Sequence, residues 1–579
     1  MITLSIDNQQ VTVEDGTTIL EAAKQVGIKI PTLCYLKDIN EIGACRICMV
    51  DVKGARAFAP ACVAPVAPGM VVKTNTPAVI KARKTVLELI LSDHPMECLT
   101  CVRNQNCELQ TLAKELGVKE IRFQGAKTDY PIDDSSAGII RDPRKCVLCR
   151  RCISVCSNIQ TVEALTPNMR GFNTIIAPAY NELLANVECV QCGQCSLVCP
   201  TAAIQERDDT DKVWAALADP NKFVVVQTAP ATRVQVGETI GADPGSIVTG
   251  QMVSGLRRLG FDKVFDTDFT ADLTILEEGN ELLQRVKNGG VLPMITSCSP
   301  GWVKFAEHFY PDLLPHISTC KSPQQMFGPL AKTYYAEKMG IDPANIYCVS
   351  IMPCTAKKFE CARPEMNASG YQDVDVVLTS RELGRMFIQA GLDMSNLPAE
   401  EYDAPLGIST GAAEIFGASG GVMEAALRTV YEVVTGKTLD NLDFEDCRGL
   451  EGVKCSTVLV GELPVRIAIT NGLGNARKVL DQIRAGEADY HFIEIMCCPG
   501  GCIGGGGSPI PTNTEIRLKR IDATYAEDRG MALRKSHENP AVKDLYDEYL
   551  KEPLGHKSHH LLHTKYTKRG LNTDKSNGS

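Results

Sequence analysis

Aromatic residues make up only 6% of this 579-residue chain, which has two tryptophans and nine histidines. No run of about 18 apolar residues occurs, the length a membrane-crossing helix needs. The start shows neither a charged-then-apolar signal nor a twin-arginine leader. These absences lead to the expectation of a soluble, cytoplasmic protein with no membrane span. Positive charge is also short. A formal net charge of −10 argues against nucleic acid or an acidic membrane surface as the main partner. The phosphate-loop pattern is missing, and nothing resembles a pyridine-nucleotide site, so any chemistry on NAD(P) is expected to need another subunit.

What the chain has in excess is cysteine, 25 residues in all. A reducing cytoplasm disfavours structural disulfides, and the spacings are those of thiolate ligands, so metal is the economical explanation. The length suggests roughly three to five domains, and 44% hydrophobic residues are enough for large cores.

In chain order, residues 1–78 begin with alternating Ile2, Leu4 and Ile6, a polar turn at Asn8 to Gln10, then Val11 and Val13. This predicts a β-hairpin, followed by a helix from Thr18. Cys34, Cys45, Cys48 and Cys62 follow on loops. Zinc is one candidate for them, but the wide outer gaps are unlike a zinc ribbon. Residues 79–125 read as mainly helical and carry His94, Cys98, Cys101 and Cys107, one imidazole and three thiolates that could supply four ligands to a cubane. Residues 139–206 hold an internal repeat: Cys146, Cys149, Cys152 and Cys156, then Cys189, Cys192, Cys195 and Cys199 before Pro200. This C-x2-C-x2-C-x3-C run is the two-cluster ferredoxin signature, in which the fourth cysteine of each run serves the other cluster. The expected sets are Cys146, Cys149, Cys152 with Cys199, and Cys189, Cys192, Cys195 with Cys156. Ser157 replaces the proline usual after the first run, which should alter the turn more than the ligation. Such a series of clusters is an electron wire.

Residues 210–579 alternate strand-like runs with amphipathic helices. Phe223–Val226, Lys263–Phe265, Val291–Thr296, Ile346–Met352 and Val465–Ile469 are the strand candidates, and the pattern predicts α/β with largely parallel sheets. Three segments stand out: Thr296-Ser-Cys-Ser-Pro-Gly-Trp302, Met352-Pro-Cys-Thr-Ala-Lys357, and Glu494-Ile-Met-Cys-Cys-Pro-Gly-Gly-Cys-Ile-Gly504 with three more glycines. In the last, Pro499 fixes φ and the glycines permit left-handed turns and close backbone approach to a bulky inorganic group.

These three segments resemble the signature loops of the iron-only, or [FeFe], hydrogenases, and the similarity extends over nearly the whole chain. The layout is most similar to the multimeric, NAD(P)-linked, electron-bifurcating members. The resemblance implies an N-terminal β-grasp [2Fe-2S] domain (1–78), a helical one-histidine, three-cysteine [4Fe-4S] domain (79–125), a two-[4Fe-4S] ferredoxin domain (139–206) and a large α/β domain (210–579). That last domain would hold the H-cluster, a cubane joined to a diiron unit with carbonyl, cyanide and azadithiolate ligands. It further implies reversible H2 oxidation and proton reduction. Electrons would pass through the accessory clusters to a flavin and iron–sulfur subunit that handles NAD(P), a small [2Fe-2S] subunit and ferredoxin. The competing functions are a non-catalytic electron-transfer subunit of a complex I-like assembly, which shares the first two cluster domains but lacks the three loops, and an iron–sulfur assembly or hydrogen-sensing relative.

Carried over by position, Cys354, Cys498 and Cys502 would ligate the cubane, with Cys502 bridging to the diiron unit. Met352 and Met496 would pack beside it, Lys357 would donate to a cyanide, and Pro230-Ala231 would form a loop beside the diiron ligands. Ala231 replaces a commoner serine. Arg285, Glu281, Ser318 and Glu278 match the family's proton relay toward Cys298. The first loop departs from the family, whose two adjacent cysteines are here Cys298 and Ser299. Cys298, Ser299 and Cys497 are therefore alternative sources of the fourth ligand, with Cys298 or Ser299 as the relay group. Lys358 reads as a solvated lysine, and Phe416 to Gly421 as a flexible turn able to line the pocket. Cys320, Cys348, Cys361, Cys447 and Cys455 read as ordinary thiols. His559, His560 and His563 lie near a basic, mobile tail without a metal role.

Overall fold

The computed structural model describes every residue except Glu462 and residues 571–579. The expected mobility of the tail end concerns residues outside those described.

The predicted hairpin forms between Ile2–Ile6 and Gln9–Val13. Its two-residue turn has positive φ at both Asp7 (48°) and Asn8 (71°), the turn whose twist suits a hairpin and which Asp and Asn tolerate. Ile2–Ile6 also pairs in parallel with Val71–Lys73, giving a mixed five-stranded sheet. Helix Ile19–Gln25 is capped by the Thr18 hydroxyl, which accepts from the Glu21 amide. Its buried face of Ile19, Leu20, Ala22 and Ala23 packs with Leu4, Ile6 and Val72 into a small separate core.

Helix Pro77–Asp93 and helix Glu108–Glu115 bracket the second cysteine group. They share a core of only a few leucines with Leu33 and Ile47 from the first region. The ferredoxin-like stretch is held by two short antiparallel pairs, Ile139–Arg141 with Ile204–Glu206 and Thr166–Asn168 with Ile175–Ala177. Its two cysteine runs curl alike: Leu148 and Arg150 in the first, and Gln191 and Gly193 in the second, have φ between 53° and 70°. Left-handed residues between the cysteines turn successive side chains toward one centre, which the sequence spacing alone only implies. The buried Arg151 guanidinium joins the three regions. It donates to the Cys34 carbonyl at 3.3 Å, to Tyr35 at 3.3 Å and to the Glu108 carboxylate at 2.6 and 2.9 Å.

The second half contains two four-stranded sheets. One is wholly parallel, in the order Lys263–Asp266, Phe223–Thr228, Ile346–Met352, Val376–Thr379. Runs such as Val224-Val-Val226 and Ile346-Tyr-Cys-Val-Ser-Ile-Met352 are apolar on both faces because helices cover both sides. The other sheet runs Met294–Ile295, Phe492–Met496, Leu463–Asn471, Val453–Val460, with only the last pair antiparallel. The expected strand Val291–Thr296 shortens to two residues, since Pro293 cannot donate to a ladder. The long helix Thr267–Asn288 starts at the Asp266 carboxylate, which accepts from the Asp268 amide, and ends at Gly289 with φ 70°. Most of its length is buried.

Candidate active site

All three marked segments leave the carboxyl ends of parallel strands. The first follows Met294–Ile295, the second follows Ile346–Met352, and the third follows Phe492–Met496. Ala229-Pro230 leaves the end of Phe223–Thr228. These ends converge on one cavity, lined by Pro230, Cys298, Ser299, Met352, Cys354, Lys357, Phe416, Met496, Cys497, Cys498, Cys502 and Cys192 among others.

The glycines of the third segment act in two ways. Gly500 and Gly501 have φ of 82° and 95°, the freedom anticipated. Gly505 and Gly506 are needed for close packing instead, because a Cβ would lie 2.0 Å from the Pro353 carbonyl oxygen and 2.2 Å from that of Cys192. The loop is therefore clamped between the second segment and the second ferredoxin run. Gln194 donates to the Gly504 carbonyl at 2.9 Å, the Thr355 hydroxyl to the Gln191 carbonyl at 2.7 Å, and Arg381 to Glu206 at 2.6 Å.

Burial pushes the Cys502 thiol up to about 12 and raises that of Cys354 as well, while the neighbouring Cys497 lowers that of Cys498. A dry pocket that opposes bare thiolates fits a cationic iron centre, which supplies the charge they lack. Lys357 Nζ lies 2.9 Å from Glu360 and 3.2 Å from the Cys298 carbonyl. An ammonium has three donors, so one remains for the cavity it lines. Glu360, three residues on along the same helix, escaped the sequence reading although its i,i+3 spacing was a signal. Pro230 faces the cavity, whereas Ala231 is fully buried and packs on Gly417. Phe416 lines the pocket, but the turn after it is fixed: the Glu494 carboxylate accepts from the Gly420 and Met423 amides at 2.6 and 2.8 Å. Glu494 thus ties the third segment's strand to the start of helix Gly421–Thr435. No sequence motif marked that role.

The relay residues line up. Arg285 donates to Glu281 at 2.6 Å, and the Ser318 hydroxyl donates to Glu281 at 2.8 Å. Burial and the neighbouring Glu281 push the Glu278 carboxyl up to about 8. Glu278 Oε1 is buried without a hydrogen-bond partner, and Cys298 feels its charge directly.

Two expectations need correction. Lys358 is buried and paired with Asp209 at 2.7 Å and Glu382 at 2.9 Å, because its helix packs inside the sheet's cover. His563 is buried too. It meets Glu277 at 3.1 Å and the Thr319 hydroxyl at 2.8 Å, and that hydroxyl reaches Glu281 at 3.2 Å, so the C-terminal segment reaches the relay. Cys320, Cys348, Cys361 and Cys447 are buried, and Cys455 is exposed.

The other cysteines gather in four places. Cys48 and Cys62 lie 3.3 Å apart sulfur to sulfur, and Cys34 and Cys45 form a second hydrogen-bonded pair. His94 shares a cavity with Cys98, Cys101 and Cys107. Burial, assisted by Lys145, brings it down to about 4, and its Nδ1 is buried without a partner, so a neutral nitrogen lone pair is on offer. Cys146, Cys149, Cys152 and Cys199 line one further cavity, and Cys156, Cys189, Cys192 and Cys195 another.

Comparison with known proteins agrees with this geometry. Residues 222–506 match the family model for the iron only hydrogenase large subunit, C-terminal domain, and residues 514–569 match the iron hydrogenase small subunit. Residues 1–77 match a 2Fe-2S iron-sulfur cluster binding domain, and 83–122 the NADH-ubiquinone oxidoreductase-G iron-sulfur binding region. The chain is 52% identical to the NADP-reducing hydrogenase subunit HndD of Solidesulfovibrio fructosivorans, over 98% of this chain and 99% of that protein. It is 40% identical to iron hydrogenase 1 of Clostridium pasteurianum, over 98% of this chain and all of the other. The solved apo [FeFe]-hydrogenase HydA1 of Chlamydomonas reinhardtii superposes with a TM-score of 0.57 at 44% identity, covering 63% of this chain and 100% of that one. With matched iron–sulfur domains ahead of a matched catalytic domain, and close relatives along its whole length, the chain belongs to the [FeFe] hydrogenases, oxidoreductases acting on hydrogen.

Proposed function

We propose that this chain is the catalytic subunit of a multimeric hydrogenase that interconverts H2 with protons and electrons in the cytoplasm and exchanges the electrons with NAD(P)-handling partners. The observation that carries it is the single cavity where Cys354, Cys498 and Cys502 meet Met352, Met496 and Lys357, with Cys192 of the second ferredoxin run in its wall. A non-catalytic electron carrier has no use for such a chamber.

Cys354, Cys498 and Cys502 would hold the cubane of an H-cluster. When bound, that group supplies a Lewis-acidic iron beside an amine base for splitting H2 heterolytically. The chain's residues do the rest. Met352, Met496, Phe416 and Pro230 exclude water, and the free donor of Lys357 would be available to an anionic ligand of the bound group. Cys298 hands a proton to Glu278 Oε1, which a carboxyl raised to about 8 can accept and release near neutrality. The Ser318 hydroxyl passes it to Glu281, held by Arg285 near the surface. Two [4Fe-4S] clusters would be held by the cysteines of a ferredoxin-like domain (139–206), a third by His94, Cys98, Cys101 and Cys107 (79–125), and one [2Fe-2S] cluster by the cysteines of a β-grasp domain (1–78). Together these accessory clusters would supply an electron path that begins beside Cys192.

The name of the 52%-identical relative motivates the partner assignment. A flavin and iron–sulfur subunit would handle NAD(P), with a small [2Fe-2S] subunit, and ferredoxin as the second electron carrier if bifurcation operates. Among the described residues no helix is long and apolar enough to cross a membrane. The test is H2 added to matured full-length chain while its accessory clusters are followed by EPR. Reduction of those clusters by H2 alone, with NADP+ reduced only when a flavin subunit is added, is expected. Clusters that stay oxidised under H2 would overturn the catalytic reading. NADP+ reduction by the isolated chain would overturn the division of labour.

A further inference from the structure

Resting on the hydrogenase reading above, we infer that Cys497 supplies the fourth cubane ligand: a ligand that the family places on the first loop has moved to the third. Three features of the pocket lead there.

First, the hydroxyl of Ser299 is engaged with the third loop's backbone. Its Oγ accepts from the Cys497 amide at 3.2 Å and makes no capping bond to its own helix Pro300–Phe309. The residue that would have ligated therefore abuts the residue that replaces it. A hydroxyl is also a poor ligand for iron–sulfur iron, which favours thiolate sulfur.

Second, the Cys497 thiol is buried among the right sulfurs. It lines the same cavity as Cys192, Cys354, Cys498 and Cys502. Its space is provided by Gly301: a Cβ built there would lie 2.7 Å from Cys497 Sγ and 3.3 Å from its Cβ. Any larger residue at 301 would push the sulfur out.

Third, Cys298 sits on another wall of the cavity. It packs with Ala271, Phe416 and Met496 on the long-helix side, under the influence of Glu278 and Lys357. Cys497 and Cys498 instead pack with the ferredoxin-side core of Trp302, Ile493 and Cys189. Cys298 is thus placed for proton transfer, and the thiols left to the cubane are Cys354, Cys497, Cys498 and Cys502. The relocation also places a cubane ligand in the cavity wall that Cys192 shares, on the side from which electrons would pass to the ferredoxin-like region.

The test uses full-length protein carrying its cubanes but no diiron unit, so that it does not depend on maturation or turnover. Iron and sulfide content and low-temperature EPR are compared for the parent, Ser299→Ala, Cys298→Ala, Cys497→Ala and the double variant Cys497→Ala/Ser299→Cys. Ser299→Ala and Cys298→Ala are expected to keep the parent's iron. Cys497→Ala should lose iron and show either a three-iron cluster or an emptied site, and the double variant should recover the parent's content by returning the ligand to the first loop. That recovery could not follow if Cys497→Ala had merely misfolded the chain or disturbed the Cys192 cluster. Full iron in Cys497→Ala, iron loss in Ser299→Ala or Cys298→Ala, or no recovery in the double variant would each overturn the relocation. Failure of the hydrogenase reading shows separately, as matured parent protein that binds its cubanes but splits no H2.

Discussion

The first 206 residues and the remainder use cysteine in opposite ways. In the first part, ligands that meet in space are mostly near in sequence, and the surrounding cores are small. In the second, Cys354 and Cys498 come from different sheets, and large buried cores carry networks of buried charge. On the proposed reading, one region would be organised by its clusters and the other organised to receive one.

Removing iron should expose that contrast most strongly. With structural metal sites, ligand binding is folding free energy. Iron-depleted chain should lose amide-exchange protection through residues 79–206, while the strands Phe223–Thr228 and Ile346–Met352 stay protected. Equal loss in both halves would erase the distinction. Next in size is the relay. Glu278→Gln keeps the volume but cannot pass a proton, so turnover should fall by about 10²–10⁴-fold with iron content unchanged.

The buried charges of the second half give a third test. Arg428 is fully buried and joins Glu424 at 2.7 Å and Asp528 at 2.9 Å. Arg428→Met leaves Glu424 to Arg448 and Asp528 to Arg534, so the loss in denaturant unfolding should fall below the about 3–5 kcal/mol of a fully stranded buried charge.

These networks also explain what could be read from the sequence and what could not. The hairpin, the cysteine runs and the strand-end loops were legible because their signals are local: alternation, spacing and apolar runs followed by glycine or proline. Lys358 was misread because its partners Asp209 and Glu382 lie 149 and 24 residues away. His563 was misread because Glu277 is 286 residues distant. The position of Ser299 stayed open because its neighbour, the Cys497 amide, is 198 residues on. The spacing of glycines announced a bendable loop, while the structure uses Gly505 and Gly506 for contact with other loops.

A fourth, smaller effect concerns pH. Burial pushes Asp272 up to about 7, although Thr410 and Asn539 donate to it at 2.7 and 2.9 Å. The unfolded chain loses this proton near 3.8 and the folded chain keeps it. Stability is therefore greatest below the unfolded value, declines as pH rises toward about 7, and is level above. The slope should be at most about 1.4 kcal/mol per pH unit, and Asp272→Asn should flatten it in urea titrations. The smallest effect is expected at Cys455, which is exposed. Cys455→Ser should leave iron content unchanged and stability within about 0.5 kcal/mol, which would separate spare thiols from ligands.

The central claim is that the convergence of three strand ends holds an H-cluster. Infrared spectra of the matured full chain in the carbonyl and cyanide stretching region test it most directly. The account predicts bands of both kinds that shift under H2, persist in Glu278→Gln and vanish in Cys502→Ala. Properly matured protein without such bands would contradict it.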